Sequence, residues 1–224
     1  CQSPNPVHNK FCGECGTKLK HASSPLKSIS ESERKQVTIL FADVSGYTAM
    51  AGKLDPEEVR DIMGRIFGEV AKVVSDFQGF VEKFIGDAVV AFFGIPIVHE
   101  DDPIRAVRAA KEIHRLVNKI SPEFVKRTGT PFFMHTGINS GLVVTGEVNM
   151  KSGTHGIIGN AINLASRLSA VAGPDDIVIS AQTHKLIAPF FNTRPLDRVK
   201  LKGISGQATP YLVLNNKTVK TRFE

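Results

Sequence analysis

Apolar positions along this chain change period several times, and each change marks an element. Val37–Phe41 (VTILF) is a mostly apolar run that reads as a buried strand ending at Asp43. Asp55-Pro56 opens a helix, with Asp as its cap and Pro at the first position. Its apolar residues, Val59, Ile62, Met63, Ile66, Phe67, Val70 and Val73–Val74, repeat at helical spacing to about Phe77, and Gln78-Gly79 ends it. Phe80–Phe93 reads as a hairpin turning at Ile85-Gly86. Asp101-Asp102-Pro103 caps a second long helix, expected to run to about Ile120. Phe132–Asn139 and Leu142–Val148 are expected to form another hairpin around Ser140-Gly141. Asn160–Val171 reads as helix, Ile177–Ile179 as a short strand and Gln182–Ile187 as helix, with Thr193–Leu201 and Tyr211–Leu214 as closing strands.

This order predicts an α+β fold. Its core is a ferredoxin-like βαββαβ sheet with two long helices on one face, followed by a small C-terminal α/β extension. Residues 1–19 are too short and polar to make a core. Residues 20–34 are rich in Ser and charge and read as a linker, residues 35–214 as the main domain, and 215–224 as a basic tail.

Composition narrows the classes. Hydrophobic residues make up 42% and charged residues 22%, the proportions of an ordinary soluble globular protein. No apolar stretch approaches a membrane span and no signal-peptide pattern opens the chain, so a cytoplasmic, membrane-free protein is expected. The net charge of +6 lies in the flanks: residues 37–214 hold 19 basic against 18 acidic side chains. No nucleic-acid surface is expected. The chain opens on Cys rather than Met, which reads as a piece of a longer protein with further domains beyond either end.

The three cysteines, Cys1, Cys12 and Cys15, fall in the first fifteen residues. Cys12-Gly-Glu-Cys15 is a knuckle that brings two thiolates to one point, as tetrahedral Zn²⁺ requires. Cys1 is the candidate third ligand, and a fourth is missing. His8 reads as a solvated loop residue, and a tail with free thiols is the alternative.

The main domain's chemistry begins with its acids. Asp87 sits among Ile85, Val89 and Val90, where a dry carboxylate is costly unless paired. In a split βαβ sheet the end of the first strand, with Asp43, meets the hairpin turn at one edge. Two carboxylates there repel unless a cation lies between them, and hard oxygen ligands suit Mg²⁺ or Mn²⁺. Ser45, Gly46, Tyr47 and Thr48 lead from strand toward helix through a glycine turn whose N–H groups can cradle phosphate. Alone, Asp43 reads as a helix cap and Asp87 as a turn residue, and the residues leave both readings open.

Three motifs resemble those of the class III nucleotide cyclases, the adenylate and guanylate cyclases. Phe41-Ala42-Asp43-Val44-Ser45-Gly46-Tyr47-Thr48 resembles the first metal motif, and Glu82-Lys83-Phe84-Ile85-Gly86-Asp87-Ala88 the second. Residues 159–168, GNAINLASRL, resemble the transition-state motif. The resemblance covers residues 35–214 and implies a head-to-tail homodimer with active sites between subunits, acting on ATP. It implies that Asp43, Asp87 and the Val44 carbonyl bind two Mg²⁺ or Mn²⁺ ions, that Asn163 orients the ribose and that Arg167 stabilises phosphate charge. Asn163 and Arg167 are four apart, so they share a helix face, which a solvated surface helix would also show. Lys83 would read adenine, since an ammonium only donates and adenine N1 accepts; otherwise it is an exposed strand lysine. Lys202 would touch the triphosphate, with Lys200 on the same strand face as its competitor. Gly156 stands where the family usually places Asp or Thr against the base, which leaves a guanylate or relaxed-specificity cyclase as the alternative. A non-catalytic nucleotide-binding dimerisation module is the alternative of another class. Asn5-Pro6 and Lys10-Phe11-Cys12 resemble the C-terminal half of a bacterial zinc ribbon, on which reading Cys1 closes a first knuckle begun upstream.

Overall fold

In the computed structural model, which describes Cys15 and residues 33–145, 157–198 and 208–217, the first strand outruns its apolar stretch. β1 spans Glu33–Ser45 because both of its edges are paired. After it come α1 (Tyr47–Ala51), α2 (Pro56–Asp76), β2 (Phe80–Ile85), β3 (Ala88–Phe93), α3 (Asp102–Thr128) and β4 (Phe133–Thr145). The chain continues through β5 (Ile157–Ile158), α4 (Asn160–Ser169), β6 (Ile177–Ile179), α5 (Ala181–Ile187), β7 (Phe191–Pro195) and β8 (Tyr211–Asn216). The described strands form one sheet in the order β2-β3-β1-β4-β6-β8-β7, with β5 paired to β4. Its β2-β3-β1-β4 part is the expected split-motif core. Only the β4–β6 pairing is parallel among the described strands.

Strand alternation sorts β1 between two layers. Leu40, Ala42 and Val44 join the main core with α2 and α3, which share one face as expected. Val37 and Ile39, with partly buried Phe41, face the other side, toward Ala161, Ile162 and Ala165 of α4. α2 begins as its sequence dictates: the Asp55 N–H donates to the Glu58 carboxylate at 3.4 Å, and Pro56 takes the first position.

Two expectations are corrected. No hairpin turns at Ser140-Gly141: β4 is one thirteen-residue strand, paired with β1 from Phe133↔Ser45 to Thr145↔Glu33. Ser140 is buried and bonded instead, its Oγ 2.9 Å from Thr38 Oγ1 and 3.1 Å from Thr183 Oγ1. Gly141 is kept small by α4, since a Cβ there would lie 3.0 Å from the Ala161 methyl. The second correction concerns α3, which runs past Ile120 to Thr128 through Pro122. Pro122 is exposed, so water can meet the carbonyl that it leaves without a donor. Buried Phe124, its ring 5.7 Å from Phe132, anchors the added turns.

Among the described residues no helix is long and apolar enough to cross a membrane. Cys1–Glu31 and Ser32–Glu224 are separate compact units. In the first, Cys15 lies exposed in a turn, while Cys1 and Cys12, like most of the linker, fall outside the described residues. Residues 218–224 of the tail do so as well.

Candidate functional site

Backbone pairing brings the two acids together. Asp43 lies opposite Ala88 on one side and opposite His135 on the other. Asp87 occupies the β2–β3 turn, made possible by Gly86 at φ 62°, and the Val44 N–H donates to the Asp87 carbonyl at 3.3 Å. The turn is thereby tied to the end of β1. Burial first, then the Asp43 charge, pushes the Asp87 carboxyl above its ordinary pKa.

Asp43 Oδ1 is buried with no hydrogen-bond partner, although the side chain as a whole is a third exposed. An orphaned carboxylate oxygen beside a second acid is what a hard divalent cation would satisfy. The oxygen-only donors Asp43 and Asp87 suit Mg²⁺ or Mn²⁺, which take one or two carboxylates and keep other positions for water and phosphate. Among the described residues no cluster of three or more His, Cys, Asp or Glu is arranged as a metal site.

His135 is a component that sequence reasoning missed. Its Nε2 lies 3.5 Å from Asp43 Oδ2, in ion-pair range. The Asp43 carboxylate raises the imidazole pKa against the opposing cost of burial, and the Ala172 backbone and the Asp87 charge act the same way. Nothing in the run Met134-His135-Thr136 marks this residue; only the β1–β4 register sets it across from an acid.

The turn after Asp43 takes the expected form. Ser45 Oγ donates to the Phe133 carbonyl at 3.2 Å. Gly46 adopts φ 93° against Pro131 and Phe132, where a Cβ would lie 3.0 Å from the Pro131 oxygen. α1 then starts with no side-chain cap; Tyr47 packs on the core and Thr48 is exposed.

A β-bulge between Val81 and Lys83 re-aims the edge strand. Val81 pairs with Ala91 and faces α2 and α3, whereas Lys83 pairs with Val90, whose side chain lies on the α4 face. The next residue, Phe84, stacks on Phe67 of α2 with ring centroids 4.4 Å apart. Lys83 is therefore exposed on the face that also carries Asp43 and His135.

α4 lies close against β4. A Cβ at Gly137 would come within 2.1 Å of the Ala165 carbonyl, and Asn139 Nδ2 donates to the Ala161 carbonyl at 3.0 Å. This contact turns Ala165 and Leu168 inward and leaves Asn163 and Arg167 exposed on the outer face. Ser169 Oγ donates to the His135 carbonyl at 3.4 Å, so α4 runs toward the acidic end of the sheet, with Arg167 nearer to it than Asn163. Among the described residues no hydrogen bond or ion pair links Lys83, Asn163 or Arg167 to either carboxylate. Gly156, Lys200 and Lys202 lie outside the described residues.

Comparison with known proteins follows the same residues. Residues 29–215 match the family model described as the adenylate and guanylate cyclase catalytic domain. The chain is 29% identical over 185 residues to an adenylate cyclase of Anabaena cylindrica, covering 78% of this chain and 36% of that protein. It is 28% identical over 167 residues to guanylate cyclase soluble subunit alpha-1 of Bos taurus, covering 74% of this chain and 24% of that one. The fold matches the crystal structure of the adenylyl cyclase CyaB from P. aeruginosa with a TM-score of 0.78 at 28% identity, over 84% of this chain and 97% of that one. The chain thus spans only about a quarter to a third of the length of these two curated relatives.

Proposed function

Because the chain belongs to the adenylate and guanylate cyclase catalytic-domain family, we propose that it is an adenylate cyclase, converting ATP to 3′,5′-cyclic AMP and pyrophosphate at sites shared by two copies of the chain. The observation that carries the reading is the Asp43–Asp87 pair with its buried, unpartnered Oδ1. Asp43, Asp87 and the Val44 carbonyl would hold two Mg²⁺ or Mn²⁺ ions, which supply a more acidic ribose 3′-hydroxyl and neutralise the triphosphate.

The chain's own side chains do the rest. Asn163 orients the ribose, and Arg167 donates to the phosphate oxygens where charge builds at the α-phosphorus. Their exposure supports use by a nucleotide bound mainly to the other copy. Lys83 donates to adenine N1, an acceptor that guanine lacks at that atom. Lys202 contacts the triphosphate. The Gly46 turn and the uncapped start of α1 support a role for Ser45–Thr48 in holding phosphate through main-chain N–H groups.

The second reading is a guanylate or relaxed-specificity cyclase, favoured by Gly156, which offers the base no side chain, and by relatives of both kinds. The deciding experiment incubates the purified chain with Mg²⁺ or Mn²⁺ and ATP or GTP, then identifies the product. Cyclic AMP in excess is the expected result. The Asp87→Ala variant is expected to stay folded and to lose turnover; parental turnover would dismiss the cation assignment. Nucleotide binding without any product would identify a regulatory dimerisation module instead.

A further inference from the structure

We propose that His135 is a positioning residue for the Asp43 carboxylate: it pairs with Oδ2 and so keeps Oδ1 in its buried, unpartnered position. This rests on the reading of Asp43 as a cation ligand. A carboxylate turns readily about its terminal torsion, which has broad minima, so packing alone does not set where its two oxygens point. Here the oxygens have different surroundings. Oδ2 has the His135 Nε2 at 3.5 Å, while Oδ1 is buried and without a partner. The negative charge of Asp87 favours turning Asp43 away, and the imidazole nitrogen in ion-pair range of Oδ2 opposes that turn.

His135 is itself held in place. It sits opposite Asp43 in the β1–β4 ladder, its carbonyl accepts from Ser169 Oγ at 3.4 Å, and Gly137, two residues on, lies under the α4 backbone. His135 therefore meets the candidate cation-binding acid through its imidazole and the helix that carries Asn163 and Arg167 through its carbonyl. Carboxylates that ligate metals usually have such an outer hydrogen-bonding partner, whose loss weakens metal affinity by about 10–100-fold.

The test reads Mn²⁺ affinity by electron paramagnetic resonance, with 3′-deoxy-ATP present because it lacks the hydroxyl needed for cyclisation. Four variants are compared with the parent: His135→Leu, His135→Asn, His135→Gln and Asp43→Asn. His135→Leu removes the donor, and His135→Asn is too short to reach; both are expected to bind Mn²⁺ about tenfold more weakly. His135→Gln places an amide N–H at similar reach and is expected to restore most of the affinity. Melting temperatures in EDTA should stay near the parent's, which a purely structural role would not allow. Parental Mn²⁺ affinity in His135→Asn, with affinity lost in Asp43→Asn, overturns the positioning role alone, and this holds even if His135→Leu fails to fold. Parental affinity in Asp43→Asn overturns the cation reading beneath it. Equal weakening of 3′-deoxy-ATP binding in EDTA would mean that His135 contacts phosphate directly, and would also overturn the proposal.

Discussion

Asp43 Oδ1 and the Asp87 carboxyl are both uncomfortable in the absence of a cation, one for want of a partner and the other for its burial and then its neighbour's charge. The pH dependence follows from the direction of the Asp87 shift. Its folded-state pKa lies above its unfolded value, so its contribution to stability is fully present below the unfolded pKa. That contribution is lost as pH rises through the folded pKa. In EDTA, the melting temperature of Asp87→Asn relative to the parent should therefore climb as the pH rises above the ordinary aspartate range of about 4. A difference that stays flat over that rise would show that the pair carries no such strain. Lys83 supports a second prediction: Lys83→Glu replaces a donor by an acceptor and should lower the ratio of kcat/KM for ATP over GTP by about tenfold or more. An unchanged ratio would remove Lys83 from base recognition. Asp43 and Asp87 were legible in the sequence because each sits in a local motif. His135 was not, because what makes it matter is an acid ninety-two positions away that only strand register brings opposite.

α4 is positioned by small residues beneath it. Gly137→Ala would drive a methyl into the Ala165 carbonyl, so α4 must lift, at a cost of about 1–3 kcal/mol. Turnover should fall further than in an equally destabilised variant altered under α2, such as Val70→Ala; parallel losses in the two would show that α4 height does not matter. The same contact explains why Ser140-Gly141 misleads as a turn signal. Glycine there makes room for a helix on one face, and the serine hydroxyl finds buried partners on the other. Pro122 misleads for a comparable reason: Phe124 and Thr128, both buried, favour continuing the helix more than one exposed proline opposes it. The long helices and the first hairpin were legible because their apolar periods are long and their caps unambiguous.

At the level of the whole molecule, the proposed site is incomplete in one copy, since the carboxylates sit on the sheet while Arg167 points outward from α4. Mixing Asp87→Ala with Arg167→Ala should therefore restore activity that neither has alone. Random pairing puts one intact site in half of the dimers, or about a quarter of parental turnover. No restoration on mixing would mean that each copy works with its own residues. The sheet order followed from the alternation of elements, but the length of the central ladder did not, because its ends are polar and only pairing extends them.

The β1–β4 ladder also makes the two ends of the sheet unequal. Asp43, Asp87 and His135 gather at one end, while at the other Thr145 Oγ1 donates to the Glu33 carbonyl at 3.2 Å. Ten residue steps of β1 separate Asp43 from Glu33, about 33 Å. Glu33 and the candidate cation-binding acids therefore lie at opposite ends of one strand pair.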